Sequence, residues 1–393
     1  MDESRKSFNI QYSIFNILLS SLLIISFLFR VWGLSQNFSF WSDEAHVVIY
    51  ARRILEIGKP VLENSTSTGT YQLLLYYFVA LSMKVFGANE FAARLPMVVF
   101  GSLTVLAIYL LGKELFGRKV GLLAAFLTAF LKIEILWSRQ ARPYQTLQLF
   151  FLLGSYFLYK YLVFSIQYFN KKKEDIRYLI MEPHGVNLWY QPKRSVGANI
   201  PNQKTNSSTG KAHGFLGSRI NIGGFLLCAT AASLFHGLGL VLFFDGILYL
   251  ILLNLKEIKK FLLPLLLLFS IFVWFSWGNL KANFLAFGKF NNFDYHRIFL
   301  TKNYLTLAIL GTIGGLGMIF KKEFKKLALF SVFLGVQGFI VSFLLGQPFV
   351  RYFYIIFPFI ILLACSGVNE LTSYVLRVLK IKKSSIFSIQ YSV

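Results

Sequence analysis

The sequence predicts an all-α fold, a polytopic transmembrane helical bundle of about 10 spans with short interfacial helices in the first outer loop. Of its residues, 56% are hydrophobic and only 15% are charged, and the mean hydropathy is +0.59, values typical of membrane proteins. The 393 residues supply roughly ten spans of about 20 residues each with their connections. This length leaves no room for a large domain outside the membrane.

The net charge of +23 arises from basic residues that cluster between the apolar runs. In a soluble protein such a charge would indicate nucleic-acid binding, but in a membrane protein the basic loops set the orientation of the helices. We therefore expect no nucleic-acid partner.

The first apolar run, from about Tyr12 to Val31, follows Arg5 and Lys6. It is too long for a signal-peptide core and no small-residue cleavage site follows it, so we expect a retained helix with its amino end in the cytoplasm. Further spans are expected at 97–115, 120–137, 144–164, 220–235, 238–254, 261–278, 304–320, 327–345 and 349–367. The chain is then a multi-pass protein of the cell membrane with both termini in the cytoplasm.

The apolar stretch Tyr71–Phe86 decides the topology, because counting it as a span would invert every later helix. Its length of about 15 residues falls short of a comfortable crossing at ~1.5 Å rise per residue. If it lies along the outer interface, within a first outer loop of residues 34–96, every strongly basic connection falls inside. We therefore predict an interfacial helix in this loop.

Residues 1–370 are predicted to form one transmembrane domain, and residues 371–393 a basic cytoplasmic tail. The long inner connection 165–219 is rich in Lys, Gly, Ser and Asn after position 191, which is typical of a flexible loop. Its glycines lack the spacing of a phosphate-binding loop, so no nucleotide-binding fold is expected.

The predicted topology collects acids, histidines and arginines on the outer face. The segments concerned are 43–46, 138–144, 235–237, 293–297 and 347–352. Arginine suits a phosphate at the membrane boundary, because its planar fork bonds two oxygens while it remains charged. The candidates for binding a donor phosphate are Arg139, Arg142, Tyr144, Arg351 and His236. The arginines could equally anchor helix ends at the interface, and a lone histidine is more often structural.

The adjacent carboxylates Asp43 and Glu44 are the candidate catalytic residues. A carboxylate beside a bound phosphate ester can take a proton from an attacking hydroxyl or amine. The alternative is a helix cap, because acids favour the amino end of a helix and residues 45–57 are predicted to be helical. One acid can cap the helix while the other, by preference Asp43, serves in chemistry.

Three further residues, His46, Asp294 and His296, are weaker candidates for acceptor binding, and the 293–297 segment could equally be a solvated turn. Asp245 lies inside a predicted span, where an ionisable group is either functional or a buried structural partner. The scheme requires no cofactor and no metal ligands are assigned, although a divalent cation remains possible.

Four motifs occur in order along the chain: Trp41–Ala45, Phe86–Pro96, Leu115–Arg118 and Ser138–Tyr144. In this order and spacing they resemble the GT-C membrane glycosyltransferases related to protein O-mannosyltransferases and to lipid A aminoarabinose transferases. The later residues Val350–Tyr352, followed by Pro358, fit the same pattern. The specific motifs cover about residues 30 to 160.

The resemblance implies transfer of a hexose or pentose, with inversion, from a polyprenyl-phosphate sugar to a glycan, lipid or protein at the outer face. It also implies that Asp43 acts as the base or orients the acceptor. Residues Thr68–Leu73 stand where many relatives carry a proline-rich stretch, and the large outer carboxy-terminal domain of some relatives is not expected. Two other classes remain open, a transporter of lipid-linked sugar or polysaccharide and a non-catalytic membrane subunit that binds a glycolipid.

Overall fold

Helices make up nearly all of the chain that this computed structural model describes, which comprises residues 2–36, 39–61, 72–181, 207–253, 270, 292–344 and 349–390. In chain order they are α1 (Asp2–Val31), α2 (Ser42–Ile57), α3 (Leu73–Phe86), α4 (Glu90–Phe116), α5 (Arg118–Phe130), α6 (Lys132–Ser138), α7 (Tyr144–Met181), α8 (Ser207–Phe235), α9 (Leu240–Leu252), α10 (Phe293–Phe320), α11 (Phe324–Phe339), α12 (Val350–Phe353) and α13 (Phe357–Gln390). Short 3₁₀ turns lie at Leu34–Gln36, Gly237–Gly239 and Tyr354–Ile356, and a π-helical turn at Ile340–Leu344. The predicted all-α polytopic class is confirmed.

The predicted number of spans is not confirmed. Within the described residues six helical segments are long and apolar enough to cross a membrane, or seven if the bent pair α5–α6 forms one span. Two expected spans correspond to the shorter apolar helices Arg219–Phe235 and Gly237–Leu252. A helix of about 17 residues reaches only ~25 Å, less than the ~30 Å of the hydrocarbon core. The expected span 261–278 lies outside the described residues, apart from position 270.

The expected span 120–137 is broken between α5 and α6. Leu131 adopts an extended conformation (φ −61°, ψ 129°), and the two helices meet at an angle of 61°. A helix that ends inside a bundle leaves carbonyl groups without partners in the helix. The buried guanidinium of Arg30, in α1, donates to the carbonyls of Thr128 and Ala129 over 2.9 and 3.0 Å. This long-range contact stabilises the break.

The predicted first outer loop contains α2 and α3, which pack against each other and against the start of α4. The rings of Tyr50 and Tyr76 are stacked with their centroids 4.6 Å apart, and both residues are buried. With 14 residues, α3 has a length of about 21 Å, which agrees with the expectation that this stretch is too short to cross. Its placement along the membrane interface stays a prediction.

Several later boundaries differ from those expected. Helix α10 begins at Phe293, although a span was expected only from 304, and Tyr304 has non-helical dihedrals (φ −137°, ψ 32°) that mark a kink. Helix occupies both ends of the expected 165–219 loop, and residues 182–206 lie outside the described part. Helix α13 continues through the expected tail to Gln390.

The chain forms two compact units, one of residues Met1–Tyr156 with Leu226–Val393 and the other of residues Phe157–Phe225. In the smaller unit Gly224 lies so close to the ring of Phe157 that a Cβ atom would come within 2.8 Å of it. All residues of the site described below belong to the larger unit.

Candidate active site

Asp43 lies in the first turn of α2 and contacts two arginines from distant parts of the chain. Its Oδ2 atom is 2.9 Å from Nη1 of Arg351 and 3.5 Å from Nη1 of Arg142. The Asp43 side chain is 48% exposed, whereas those of Arg142 and Arg351 are 8% and 19% exposed. The carboxylate is therefore half exposed and lies beside two largely buried cations.

Arg142 belongs to the connection between α6 and α7 and lies among aromatic rings. Its guanidinium carbon is 5.8 Å from the ring centre of Trp41 and 5.9 Å from that of Trp137, distances at which cation–π attraction is significant. Its Nε atom is buried and makes no hydrogen bond within the described residues. The guanidinium thus keeps a donor available for another acceptor.

Arg351 lies in α12 and is also surrounded by rings. Its guanidinium carbon lies 3.8 Å from the ring centre of Phe349, 5.3 Å from that of Tyr352 and 5.9 Å from that of Tyr144. Its Nε atom is buried and, like that of Arg142, has no hydrogen-bond acceptor in the described part of the chain. The two arginines therefore present cationic groups whose donors are incompletely used, beside one carboxylate.

Glu44 differs sharply from its neighbour, because it is fully buried and both of its oxygens are engaged. Arg94 of α4 donates to it from Nε over 3.0 Å and from Nη2 over 3.2 Å. The backbone N–H of Ala141 donates over 2.8 Å, and that of Trp41 over 3.3 Å. Glu44 thus caps α2 and fastens it to α4 and to the connection that carries Arg142.

Tyr144 and His236 line the same region. The Tyr144 ring is 5.7 Å from that of Tyr352 and 5.9 Å from that of His236. The Nδ1 atom of His236 accepts from the backbone N–H of Leu238 over 3.1 Å, so the neutral ring carries its hydrogen on Nε2. Burial and the nearby charge of Arg351 lower the pKa of His236 to about 3. At neutral pH His236 is therefore a neutral hydrogen-bond donor, not a cation.

Two predicted site residues make other contacts. Arg139 donates from Nη2 to the Gly33 carbonyl over 3.0 Å, which ties the end of α6 to the end of α1. His46 is exposed and its ring meets that of Tyr50 edge-on, with centroids 4.7 Å apart. Their predicted roles in phosphate and acceptor binding stay predictions.

The segment 293–297, expected as an outer loop, is instead the first turn and a half of α10. Asp294 is exposed and forms an ion pair with Arg297 at 3.0 Å, one helical turn away. His296 is buried, and its ring stacks on that of Phe353 with centroids 5.3 Å apart. His296 thus packs against the helix that bears Arg351, and its role in acceptor binding stays a prediction.

Sequence reasoning missed the buried polar residues beneath the site. Arg94 lies within one of the four family motifs, yet its partner Glu44 could not be inferred from spacing. Glu134 lies within an expected span, a position where an acid is a functional candidate by default. That rule singled out only Asp245, which is buried with its Oδ2 atom 3.5 Å from Nε2 of Gln337.

Within the described part of the chain, no three His, Cys, Asp or Glu residues are grouped so that they could hold a metal ion. The expectation that no cofactor is required stays a prediction.

Sequence comparison links the central part of the site to a known family. Residues 72–170 match the family described as dolichyl-phosphate-mannose-protein mannosyltransferase. An uncharacterised protein of Aquifex aeolicus (strain VF5) is 28% identical over 171 residues, which cover 42% of this chain and 32% of that protein. The range 72–170 that matches the family includes Arg94, Arg139 and Arg142.

Solved structures share the arrangement of helices. ArnT from Cupriavidus metallidurans in the apo state matches with a TM-score of 0.62 at 12% identity, over 94% of this chain and 63% of ArnT. ArnT bound to undecaprenyl phosphate gives a TM-score of 0.55 at 13% identity, over 90% of this chain and 59% of that one. The Archaeoglobus fulgidus oligosaccharyltransferase AglB, in complex with an inhibitory peptide and a dolichol-phosphate, gives 0.53 at 14% identity, over 95% of this chain and 52% of AglB. The chain has the GT-C fold.

The GT-C fold confirms the resemblance that the four motifs predicted. The chain spans less than two thirds of the length of these relatives, with 63% of ArnT and 52% of AglB covered. Within the fold, Asp43 belongs to the first α-helix after α1, Arg142 to the connection between α6 and α7, and Arg351 to α12.

Proposed function

We propose that this chain is a membrane glycosyltransferase that moves a sugar, with inversion, from a polyprenyl-phosphate-linked donor to an acceptor glycan, lipid or protein at the outer face of the membrane. The observation that carries the proposal is the half-exposed carboxylate of Asp43, whose Oδ2 atom lies 2.9 and 3.5 Å from two guanidinium groups. A half-exposed carboxylate beside two arginines combines a proton acceptor with a phosphate-binding pair.

A lipid-linked donor suits this arrangement, because its apolar tail can remain in the bilayer while its phosphate reaches Arg142 and Arg351. Each arginine has a buried Nε–H without an acceptor in the described residues, and a phosphate oxygen would supply one. Support comes from ArnT and AglB, which share the fold and have been solved with undecaprenyl phosphate and with a dolichol-phosphate. Tyr144 and His236 lie beside Arg351, since the Tyr144 ring centre is 5.9 Å from the Arg351 guanidinium carbon and 5.9 Å from the His236 ring centre.

In the proposed reaction the acceptor hydroxyl or amine attacks the anomeric carbon of the donor sugar. The new bond forms on the face opposite the phosphate, while the bond between the anomeric carbon and the phosphate oxygen breaks, so the configuration inverts. Asp43 takes the proton of the acceptor, and the phosphate leaves with the electron pair. Arg142 and Arg351 stabilise this leaving group, where negative charge increases in the transition state.

Glu44 serves this reaction by fixing α2, because its oxygens bond to Arg94 and to two backbone N–H groups. The scheme requires no metal ion, since two guanidinium groups neutralise the departing phosphate. The proposal includes both termini in the cytoplasm and the site on the outer face of the cell membrane, because this orientation puts the strongly basic connections inside.

The test uses membranes with a panel of radiolabelled polyprenyl-phosphate sugars and compares wild type with Asp43→Asn and Arg142→Ala. We expect Asp43→Asn to lower transfer by about 10² to 10⁴-fold, the usual contribution of a general base. Glu56→Gln is the matched control, because Glu56 is an exposed carboxylate that forms an ion pair with Arg53 one helical turn away in α2. Equal transfer by wild type, Asp43→Asn and Arg142→Ala would exclude the proposed chemistry.

The same membranes separate the two other classes. A transporter would move labelled lipid-linked sugar across the bilayer without forming a new glycosidic product. A non-catalytic glycolipid-binding subunit would leave product formation unchanged in Asp43→Asn.

A further inference from the structure

A buried hydrogen-bonded cluster lies in the chain segments next to the two arginines. It is formed by Glu134, Gln145, Gln148 and Tyr354, all fully or almost fully buried. The Tyr354 hydroxyl is 2.7 Å from Oε2 of Glu134 and 2.7 Å from Oε1 of Gln145. Nε2 of Gln148 donates to Oε1 of Glu134 over 3.1 Å. The cluster therefore connects α6, the first turns of α7 and the 3₁₀ turn that follows α12.

Tyr354 is held at both ends and on its ring face. Its backbone carbonyl accepts from Nε2 of Gln148 over 3.1 Å, in addition to the bonds made by its hydroxyl. Its ring stacks on that of Trp137, with centroids 5.8 Å apart and planes 29° apart. Since Tyr354 follows Arg351 by one helical turn, these contacts fix the short helical segment from which Arg351 projects.

Two residues of the same cluster belong to the helices on either side of Arg142. Glu134 belongs to α6 and Gln145 to α7, and the connection between these helices carries Arg142. The bonds from Tyr354 to Glu134 and Gln145 thus cross from the element bearing one arginine to the elements flanking the other. These contacts therefore join the segment that carries Arg351 to the two helices that flank Arg142.

We infer that Glu134 and Tyr354 are positioning residues for the donor phosphate, which hold Arg351 at the correct distance from Arg142 and Asp43 without contacting the substrate themselves. This inference rests on the proposed function. Directional hydrogen bonds suit the task, because an apolar contact would fill the same volume without fixing the register of the segment. A displacement of about 1 Å is enough to weaken binding and catalysis strongly.

The deciding variant is Tyr354→Phe, which removes one hydroxyl and keeps the ring that stacks on Trp137. Binding of undecaprenyl phosphate to the purified full chain in nanodiscs is the readout, with thermal unfolding measured on the same samples. We expect about a tenfold loss of affinity. Tyr249→Phe is the matched control, because the buried Tyr249 donates from its hydroxyl to the Lys325 carbonyl, outside this cluster. It should bind undecaprenyl phosphate as wild type does.

A double-mutant cycle separates positioning from a general loss of stability. If Tyr354 acts through Arg351, then Tyr354→Phe should change affinity less than about twofold in an Arg351→Ala background.

Rescue by a conservative substitution at Glu134 gives a second criterion. Glu134→Gln can still accept from Gln148 and offer a hydrogen to Tyr354, so it should bind as wild type, while Glu134→Leu should lose about tenfold.

Two results would overturn the positioning role: wild-type affinity in a folded Tyr354→Phe protein, or equal losses from Tyr354→Phe with and without Arg351. A wild-type protein that binds no undecaprenyl phosphate would instead remove the proposed donor, and the positioning role with it. The two failures are therefore distinguishable.

Discussion

Glu44 and Arg94 form a two-point ion pair inside the protein, with Nε 3.0 Å from Oε1 and Nη2 3.2 Å from Oε2. Neither side chain is more than 2% exposed. Glu44 and Asp43 are adjacent in the chain, yet one carboxylate is enclosed by structural partners and the other is half exposed beside two arginines.

Glu44→Gln should destabilise the protein by about 3 kcal/mol or more, because it leaves a buried guanidinium without its main counter-charge. Asp43→Asn should change stability by no more than ~1 kcal/mol, as expected for a half-exposed ion pair. Unfolding of the two variants in the same detergent measures this contrast. A Glu44→Gln protein that is as stable as wild type but inactive would assign Glu44 to the chemistry.

Arg351→Lys should bind undecaprenyl phosphate about tenfold more weakly than wild type, although the positive charge is kept. A lysine ammonium lacks the planar fork that bonds two phosphate oxygens at once. Arg297→Lys is the control, since Arg297 is exposed and pairs with Asp294. Affinity measured in nanodiscs checks this expectation, and equal affinities of Arg351→Lys and wild type would argue against a bidentate phosphate contact.

Acidification should destabilise the fold through His236. Its pKa is lowered to about 3 in the folded protein, first by burial and then by Arg351, whereas the unfolded chain takes up a proton near pH 6.5. The unfolded state therefore binds more protons between these values, and stability falls as the pH decreases below 6.5. At pH 5 the loss is about 2 kcal/mol.

The check is thermal unfolding of wild type and His236→Asn between pH 7.5 and pH 5. The His236→Asn protein should show a flatter pH dependence, even if it is less stable throughout. Parallel profiles for wild type and His236→Asn would contradict the assigned neutral state.

Chelation should leave glycosyl transfer unchanged, because the two arginines alone neutralise the leaving phosphate in the proposed mechanism. The measurement is the rate of transfer in membranes before and after treatment with EDTA. Loss of activity that Mg²⁺ or Mn²⁺ restores would instead indicate a bound divalent cation.

Membrane orientation is tested by cysteine labelling. With an impermeant maleimide on intact cells, Ser42→Cys should be labelled at once, and Ser207→Cys only after the membrane is opened. The native Cys228 and Cys365 are buried and give a low background. Labelling of both positions from the same side would contradict the topology derived from the basic loops.

The sequence predicted the helical class, and it predicted that Asp43, Arg142 and Arg351 lie on one face of the bundle. Both predictions were possible because the distribution of charged loops is a local property of the sequence. The expected start at 304 coincides with a real kink at Tyr304, although the helix itself continues back to Phe293. The break at Leu131 was not foreseen, since its cause is a guanidinium from α1. Contacts between residues far apart in the chain leave no periodic signal.

Contacts within the candidate site were likewise not predictable from the sequence. Nothing in the spacing of Glu44 and Arg94, or of Glu134 and Tyr354, indicates that they meet, because each pair joins different helices. The position of Arg139 against the Gly33 carbonyl likewise depends on how α1 and α6 pack.

The bond from Arg30 to the end of α5 also constrains how the chain is made. Arg30 precedes its acceptors Thr128 and Ala129 by 98 and 99 residues, which take about 5 to 20 s to synthesise at typical translation rates. During that interval the ribosome has already delivered α1, while the carbonyls that receive its guanidinium do not yet exist. This region can therefore complete its contacts only after α5 has been synthesised. A nascent chain halted before residue 128 keeps a cation without these acceptors at the end of its first apolar helix.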